Sequence, residues 1–247
     1  MLFSVLMAIA AQIRSRAFRG LAYGPHPRQR LDIRAPVGAD GEASVVVVLP
    51  PAAQGVSERG HRNAVGRVLA SRGFVALVPR FHDDADLALR LEDAARACAW
   101  ARAHAGTYGG DPQRVFVLGE GDAAGVAAML ALDPVWLEAA SARGALRGVI
   151  GVQGLYDLAP LHATTRSRDG APPMLLIAGA DGGEEDRSTG WLARTLRILG
   201  SPVAEIRYPG LSAHSGLHGL AGVLGLRRTP LQEVERFLRL GALEPAA

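Results

Sequence analysis

Short β-branched runs alternate along this chain with longer segments of helical periodicity, and this alternation constrains the fold more than any other feature. Ser44–Leu49 and Phe74–Val78 are unbroken apolar runs, as expected of strands buried on both faces. Five further runs predict strands: Gln29–Arg34, Val115–Leu118, Val149–Val152, Met174–Ala178 and Ala204–Tyr208. Four segments predict helices: Glu58–Arg72, Asp86–His104, Ser188–Leu199 and Pro230–Leu240. This order predicts an α/β fold, a mainly parallel sheet with helices on both faces.

The length of the chain, 247 residues, predicts a single domain over residues 21–247. An N-terminal helix, residues 1–20, is expected to pack on that domain. Met1–Ala10 is apolar but too short to cross a bilayer as a helix, so no transmembrane segment is predicted. The segment also lacks the basic start of a signal peptide, which favours a cytoplasmic protein. Export through this atypical segment, or contact with a membrane surface, is the alternative.

Arginine supplies every one of the 27 basic residues, and the formal net charge is only +3. The arginines are interleaved with acidic residues, so no nucleic-acid surface is predicted. The single cysteine, Cys98, excludes an internal disulfide, and its alanine-rich helical surroundings predict a packing role. The scattered histidines lack metal-ligand spacing, so neither a metal nor another cofactor is predicted. The acidic run Asp83–Asp86 is the alternative metal site.

Residues 114–130 are typical of a strand, a tight turn and a helix, and the turn reads Gly119-Glu120-Gly121-Asp122-Ala123. Ligands of parallel sheets bind at the carboxyl ends of strands, where this turn lies. A nucleophile elbow, G-x-S-x-G, holds a strained and exposed serine at the centre of such a turn. In that register Gly121 stands at the position of the nucleophile, which would therefore lack its hydroxyl.

Several segments, read in order, resemble the bacterial acetyl-esterase/lipase (carboxylesterase) group of the α/β-hydrolase superfamily. The segments that carry the resemblance are Tyr23–Pro25, Gln29–Ile33, Leu69–Phe74, Tyr108–Pro112, Met174–Asp181 and Tyr208–Gly210. The likeness runs from about Tyr23 to Leu240. It implies the α/β-hydrolase fold. Because few residues separate Asp157 from Pro172, a short cap is expected.

The resemblance also implies a catalytic triad in the chain order serine, aspartate, histidine. The acid falls on Asp181, directly after a predicted strand. The base falls on His214, in the loop after the next strand, with His218 as the alternative. The nucleophile falls on Gly121, so two members of the triad are retained and one is lost.

The oxyanion-hole region implied by the resemblance comprises Pro51, Ala52 and Asp122. The family carries a glycine-rich loop after the strand that corresponds to Ser44–Leu49. Here the loop begins Pro50–Pro51, and proline has no N–H group to donate. The donor loop and the nucleophile are therefore both altered.

Two functional hypotheses follow from these residues. The first is a degenerate carboxylesterase/lipase-like protein, a pseudoenzyme without ordinary serine-esterase activity that retains a pocket for a small-molecule ligand. The second is a hydrolase or related enzyme that acts on ester or carbonyl compounds through an Asp181–His214 general-base pair.

Other chemistry remains open at and near the turn. A nucleotide-binding protein is a third hypothesis, because Gly119, Gly121 and Ala124 match a loose dinucleotide fingerprint, G-x-G-x-x-A, although Glu120 and Asp122 would repel a pyrophosphate. Asp122 is an alternative carboxylate nucleophile. A displaced hydroxyl is the last alternative, with three candidates: Ser57, Ser212 and Ser215.

Overall fold

The computed structural model describes residues 15–52, 56–82, 86–156, 171–211 and 229–241. Within these ranges one sheet of eight strands forms, in the order β1-β2-β4-β3-β5-β6-β7-β8. The strands are β1 (Ser15–Ala22), β2 (Arg30–Pro36), β3 (Ala43–Val48), β4 (Val75–Pro79), β5 (Gly110–Glu120), β6 (Leu146–Val152), β7 (Met174–Gly179) and β8 (Val203–Tyr208). β2 pairs antiparallel with β1 and β4, and the other pairs are parallel. The carboxyl ends of β3 to β8 therefore meet at one edge.

Helices cover both faces of the sheet. They are α1 (Val56–Ser71), α2 (Leu87–His104), α3 (Asp122–Leu132), α4 (Pro134–Ala139), α5 (Glu184–Ile198) and α6 (Pro230–Leu240). Val65 of α1 and Phe237 of α6 belong to one apolar cluster, whereas α2, α3 and α5 contribute to a second cluster. The sheet lies between the two clusters, which confirms the prediction of a mainly parallel sheet with helices on both faces.

Residues 15–20, predicted as the end of a helix, instead form most of strand β1. Phe18 lies opposite Ile33 and Ser15 opposite Pro36 in an antiparallel pair with β2. β1 is an edge strand, and its two arginines, Arg16 and Arg19, are three residues apart, a spacing that also fits one face of a short amphipathic helix. Pairing with β2 decides between the two, because a strand there satisfies the backbone groups of both segments. Residues 1–14 lie outside the described part of the chain.

Two smaller elements also differ from the sequence prediction. The short helix α4 was not predicted; it begins after Asp133, whose carboxylate accepts a hydrogen bond from the Val135 N–H at 3.1 Å. The predicted turn over Gly109–Pro112 is confined to Gly109, which has a φ of 85°, and β5 begins at Gly110. In both places a local backbone arrangement determines where the element begins.

Cys98 is buried on α2, and burial raises the pKa of its thiol from 9.0 to about 12. We expect Ellman's reagent at pH 8 to leave the native protein unmodified and to detect one thiol per chain after unfolding. Because the folded pKa is raised, the contribution of this thiol to stability is present below pH 9 and is lost as the pH rises towards 12. A full reaction of the native protein within minutes would contradict this prediction.

Candidate active site

Gly121 lies between β5 and α3 with a φ of 56° and a ψ of −123°. Its N–H donates to the Val152 carbonyl, and its own carbonyl accepts from the Leu155 N–H, each at 3.0 Å. These bonds hold the turn in a region that side chains adopt only under strain, as in a nucleophile elbow. Apart from its two neighbours in the chain, no atom of the described residues would lie within 4 Å of a Cβ atom at 121. The position is thus open, at the carboxyl edge of the sheet.

The flanking small residues of the turn are explained by a close backbone approach. A Cβ atom on Gly119 would lie 2.3 Å from the carbonyl oxygen of Ala123. Ala123 is itself completely buried. Only a residue without a side chain fits at 119, so the strand can lead directly into the tight turn.

The loop after β3 meets the N-terminus of α3 through a single carboxylate. The Ala52 N–H donates to Oδ2 of Asp122 at 2.8 Å, and Nη2 of Arg90 lies 2.8 Å from the same oxygen. Arg90 is nearly buried, and its Nη2 is also 3.4 Å from the Pro50 carbonyl. The oxyanion hole of this fold uses the N–H of the residue after the nucleophile and one N–H from the β3 loop. The sequence prediction assigns those positions to Asp122 and to the loop residues Pro51 and Ala52.

Pro51, Ala52 and Asp122 are the residues predicted to form the oxyanion-hole region. Within it, the Ala52 N–H already donates to the Asp122 carboxylate. The proline nitrogen of residue 51 carries no hydrogen, so Ala52 supplies the N–H at this point of the loop. The Asp122 carboxylate would also repel a negative charge that developed on a substrate oxygen above Gly121. In this arrangement the Ala52 N–H is not available to a substrate.

Asp181 is exposed in the loop between β7 and α5. The buried carboxylate of Asp186 shapes this loop by accepting hydrogen bonds from the N–H groups of Gly182 and Gly183, at 2.9 and 3.1 Å. The same carboxylate caps α5, which explains why this helix begins at Glu184, earlier than predicted. The partner predicted for Asp181, His214, lies outside the described residues.

The other candidates for the base or the nucleophile are one histidine, three serines and Asp122. His218, Ser212 and Ser215 all lie outside the described part of the chain, and Ser57 lies in α1. Asp122, the alternative carboxylate nucleophile, is held by Ala52 and Arg90. The triad predicted from the resemblance thus remains a prediction.

Gln153 is a buried residue of this edge that the sequence reasoning missed. It follows β6 with a φ of 46°, and its Oε1 accepts from the Gly179 N–H at 2.9 Å. Its Nε2 donates to the Leu211 carbonyl at 2.8 Å. One side chain therefore joins the carboxyl ends of β6 and β7 to the loop after β8. A glutamine directly after a predicted buried strand is the signal that would have pointed to it.

The sequence reasoning also missed a buried carboxylate, that of Asp93. Asp93 of α2 is fully buried and accepts hydrogen bonds from the amide of Gln29 and the N–H of His82, both at 2.8 Å. Its Oδ2 also lies 2.9 Å from Nδ1 of His82, and the His26 ring stacks on the His82 ring at 4.0 Å. This cluster joins the β1–β2 loop and the end of β4 to α2.

Metal, nucleotide and membrane binding are the other possibilities that the sequence raises. Among the described residues, no group of three or more His, Cys, Asp or Glu side chains is arranged to hold a metal ion. Asp86 caps α2 by accepting from the Leu89 N–H at 2.9 Å, and residues 83–85 lie outside the described ranges. At the Gly119–Ala124 turn, Glu120 pairs with His61 at 3.4 Å. No helix in the described ranges has the length and apolar character needed to cross a membrane.

Comparison with known proteins places these features in context. No family model matches the sequence. A probable isoprenylcysteine alpha-carbonyl methylesterase of Oryza sativa subsp. japonica is 28% identical over 152 residues, covering 58% of this chain and 36% of that protein. A second protein so described, from Arabidopsis thaliana, is 30% identical over 108 residues, covering 43% of this chain and 26% of its own. The chain thus spans about a third of the length of the curated relatives it matches.

Solved structures of esterases match almost the whole chain. Esterase 2 of Thermogutta terrifontis, in a form phosphoramylated by tabun, has a TM-score of 0.70 and 19% identity, covering 94% of this chain and 97% of its own. A hyperthermophilic esterase of Pyrobaculum calidifontis has a TM-score of 0.73 and 16% identity, covering 96% and 90%. At these identities the likeness shows the fold. The chain therefore has the α/β-hydrolase fold and is similar to esterases of that fold.

Proposed function

We propose that this protein is a degenerate carboxylesterase-like α/β-hydrolase that lacks ordinary serine-esterase activity and retains a site for a small ester or carboxylic ligand. The observation that carries the proposal is the backbone of Gly121, which has the dihedral angles of a nucleophile elbow but no side chain. Glycine adopts these angles without steric strain, so the turn keeps its shape when the nucleophile is lost. Its retention is consistent with descent from an active esterase.

The blocked loop donor supports the same proposal from separate residues. Asp122 accepts a hydrogen bond from the Ala52 N–H. One of the N–H donors that stabilise the oxyanion of a tetrahedral intermediate in an esterase would therefore be missing. Removal of one oxyanion-hole donor costs a factor of about 100 to 1000 in rate. The chain would thus lack both a nucleophile at position 121 and a free loop donor in the oxyanion hole, and acyl transfer needs both.

The ligand class rests on the relatives. The curated relatives are described as methylesterases and the matching structures as esterases, so a small ester or its carboxylic acid is the class of ligand that we assign to this site. Such a ligand would lie at the open position above Gly121.

A second candidate is an enzyme in which Asp181 and His214 activate water without a serine. It is supported by the Gln153 contacts, because Gly179 is two residues from Asp181 and Leu211 is three residues from His214. One side chain thus joins the two loops that carry the proposed pair. This enzyme would not form a covalent acyl intermediate.

Two measurements on the purified protein test these proposals. We expect the wild-type chain to hydrolyse p-nitrophenyl acetate no faster than its His214→Ala variant, and a fluorophosphonate probe to leave it unlabelled. The matched control is Asp133→Asn, a change at a helix cap far from the site along the chain. Hydrolysis that disappears in His214→Ala but persists in Asp133→Asn would support the water-activating enzyme instead. Labelling of the wild type by the probe would refute both proposals.

A further inference from the structure

A groove of about 540 Å³ runs along α2 on the side that faces α4. Ala95, Ala99 and Ala103 of α2 line it at intervals of four residues, which places them on one face of the helix. Trp100 and Trp136 line the same groove, and both are only partly buried. The alanines and the two indole rings form the apolar part of a lining that also contains the Glu92–Arg96 ion pair, and the groove leaves space for another element.

The two ends of the groove can be placed in the fold. Tyr23, the residue after β1, lines one end beside the N-terminal half of α2. At the other end Trp100 stacks on His104 and on Tyr108, with ring centroids 4.5 and 5.9 Å apart. Tyr108 in turn contacts Phe18 of β1 at 4.8 Å. This end therefore lies close to the place where the described chain begins, at Ser15.

The fourteen residues before β1 have the composition to cover such a surface. Leu2, Leu6, Ile9 and Ile13 recur at helical spacing, which would form one apolar stripe. As a helix this segment would be about 21 Å long. The groove side of α2 between Glu92 and His104 is about 18 Å long by the same rise per residue.

We propose that residues 1–14 form an apolar helix that docks in this groove, against Ala99, Ala103 and the two indole rings. The last residues of the segment would lie at the His104 end, where they join β1, and the helix would run parallel to α2 with Met1 towards Tyr23. This occupant is favoured over a second molecule because the segment is joined to the groove by only a few residues of β1. It would also cover the partly exposed indole rings with a segment of the same chain, independent of the function of the site at Gly121.

A disulfide-trapping experiment on the full chain tests the docking directly. In a Cys98→Ala background, Ile9→Cys is combined with Ala99→Cys in the groove, or with Ala88→Cys, which is exposed on the same helix outside it. We expect mild oxidation to form an intramolecular bond in the first pair and not in the second. Equal trapping of both pairs would refute the docking, and bonds found only between molecules would assign the groove to a second copy.

Fluorescence and thermal unfolding provide a second readout. Trp100 and Trp136 are two of the three tryptophans, so deletion of residues 1–14 is expected to increase acrylamide quenching. Ala99→Arg should reproduce that increase and lower Tm by about 5 °C, because it displaces buried apolar side chains, whereas Ala88→Arg should do neither. Unchanged quenching after the deletion would overturn the proposal. So would flotation of the full chain, and not of the deletion, with lipid vesicles.

Discussion

Gly121→Ser alone is expected to leave ester hydrolysis close to background, whereas Gly121→Ser with Asp122→Ala is expected to be about 100-fold more active than the single variant. The serine would restore a nucleophile in a position that the described residues leave open, since none of them except its chain neighbours lies within 4 Å of the Cβ atom. The hydroxyl alone would still face an oxyanion hole whose Ala52 donor is held by Asp122. Removing that carboxylate frees the N–H and leaves the Arg90 guanidinium near the developing charge.

The controls separate this explanation from a general effect of charge. Glu120→Ala also removes a carboxylate beside Gly121, but one that pairs with His61 rather than with Ala52. Combined with Gly121→Ser, it should give no comparable gain. Addition of His214→Ala to the active double variant should abolish the gain, because the serine would lose its base. If Gly121→Ser alone matches the double variant, Asp122 does not block the site.

The serine substitution should also cost stability. A residue with a Cβ atom at a φ of 56° and a ψ of −123° carries strain of about 1–3 kcal/mol. Chemical denaturation of Gly121→Ser should show a loss in that range. A match would indicate that the wild-type turn has the geometry of an elbow, whereas a neutral effect would indicate that the backbone relaxes freely.

The largest loss of stability is expected from Asp93→Ala, at about 3–5 kcal/mol. The variant leaves the Gln29 amide, the His82 N–H and the His82 ring without the carboxylate that they contact, in a fully buried position. Buried donors that lose their acceptor cost their full desolvation free energy. For a domain of this size the loss corresponds to a fall in Tm of about 10 °C.

Glu92→Ala is the matched control, since it removes the neighbouring carboxylate on the same helix. Glu92 pairs with Arg96 in a partly exposed i,i+4 contact at 2.6 Å. Such pairs contribute about 0.3–0.5 kcal/mol, so thermal and urea unfolding should hardly change. Equal effects of the two variants would show that the Asp93 cluster is not a structural junction.

The prediction that failed at β1 shows what a local pattern leaves undecided. Arg16 and Arg19 are three residues apart in Ser15–Ala22, a spacing that fits one face of a helix, and yet the segment forms a strand. The long runs were assigned correctly because β3, β4 and β7 are buried on both faces, which their composition alone reveals. The strand β1 depended on its partner, β2, and not on its own sequence.

The sequence by itself determined the alternation of strands and helices, the turn between β5 and α3, and the absence of a hydroxyl at Gly121. Those features depend on neighbours within a few residues, through side-chain periodicity and the conformational freedom of glycine. Only the tertiary structure decided that the Asp122 carboxylate holds the Ala52 N–H, that Asp93 is buried, and that Gln153 joins three strand ends. Ala52 and Asp122 are 70 residues apart, and Gln29 and Asp93 are 64 apart. Such hydrogen bonds are defined by how the helices pack against the sheet, and no local pattern encodes that packing.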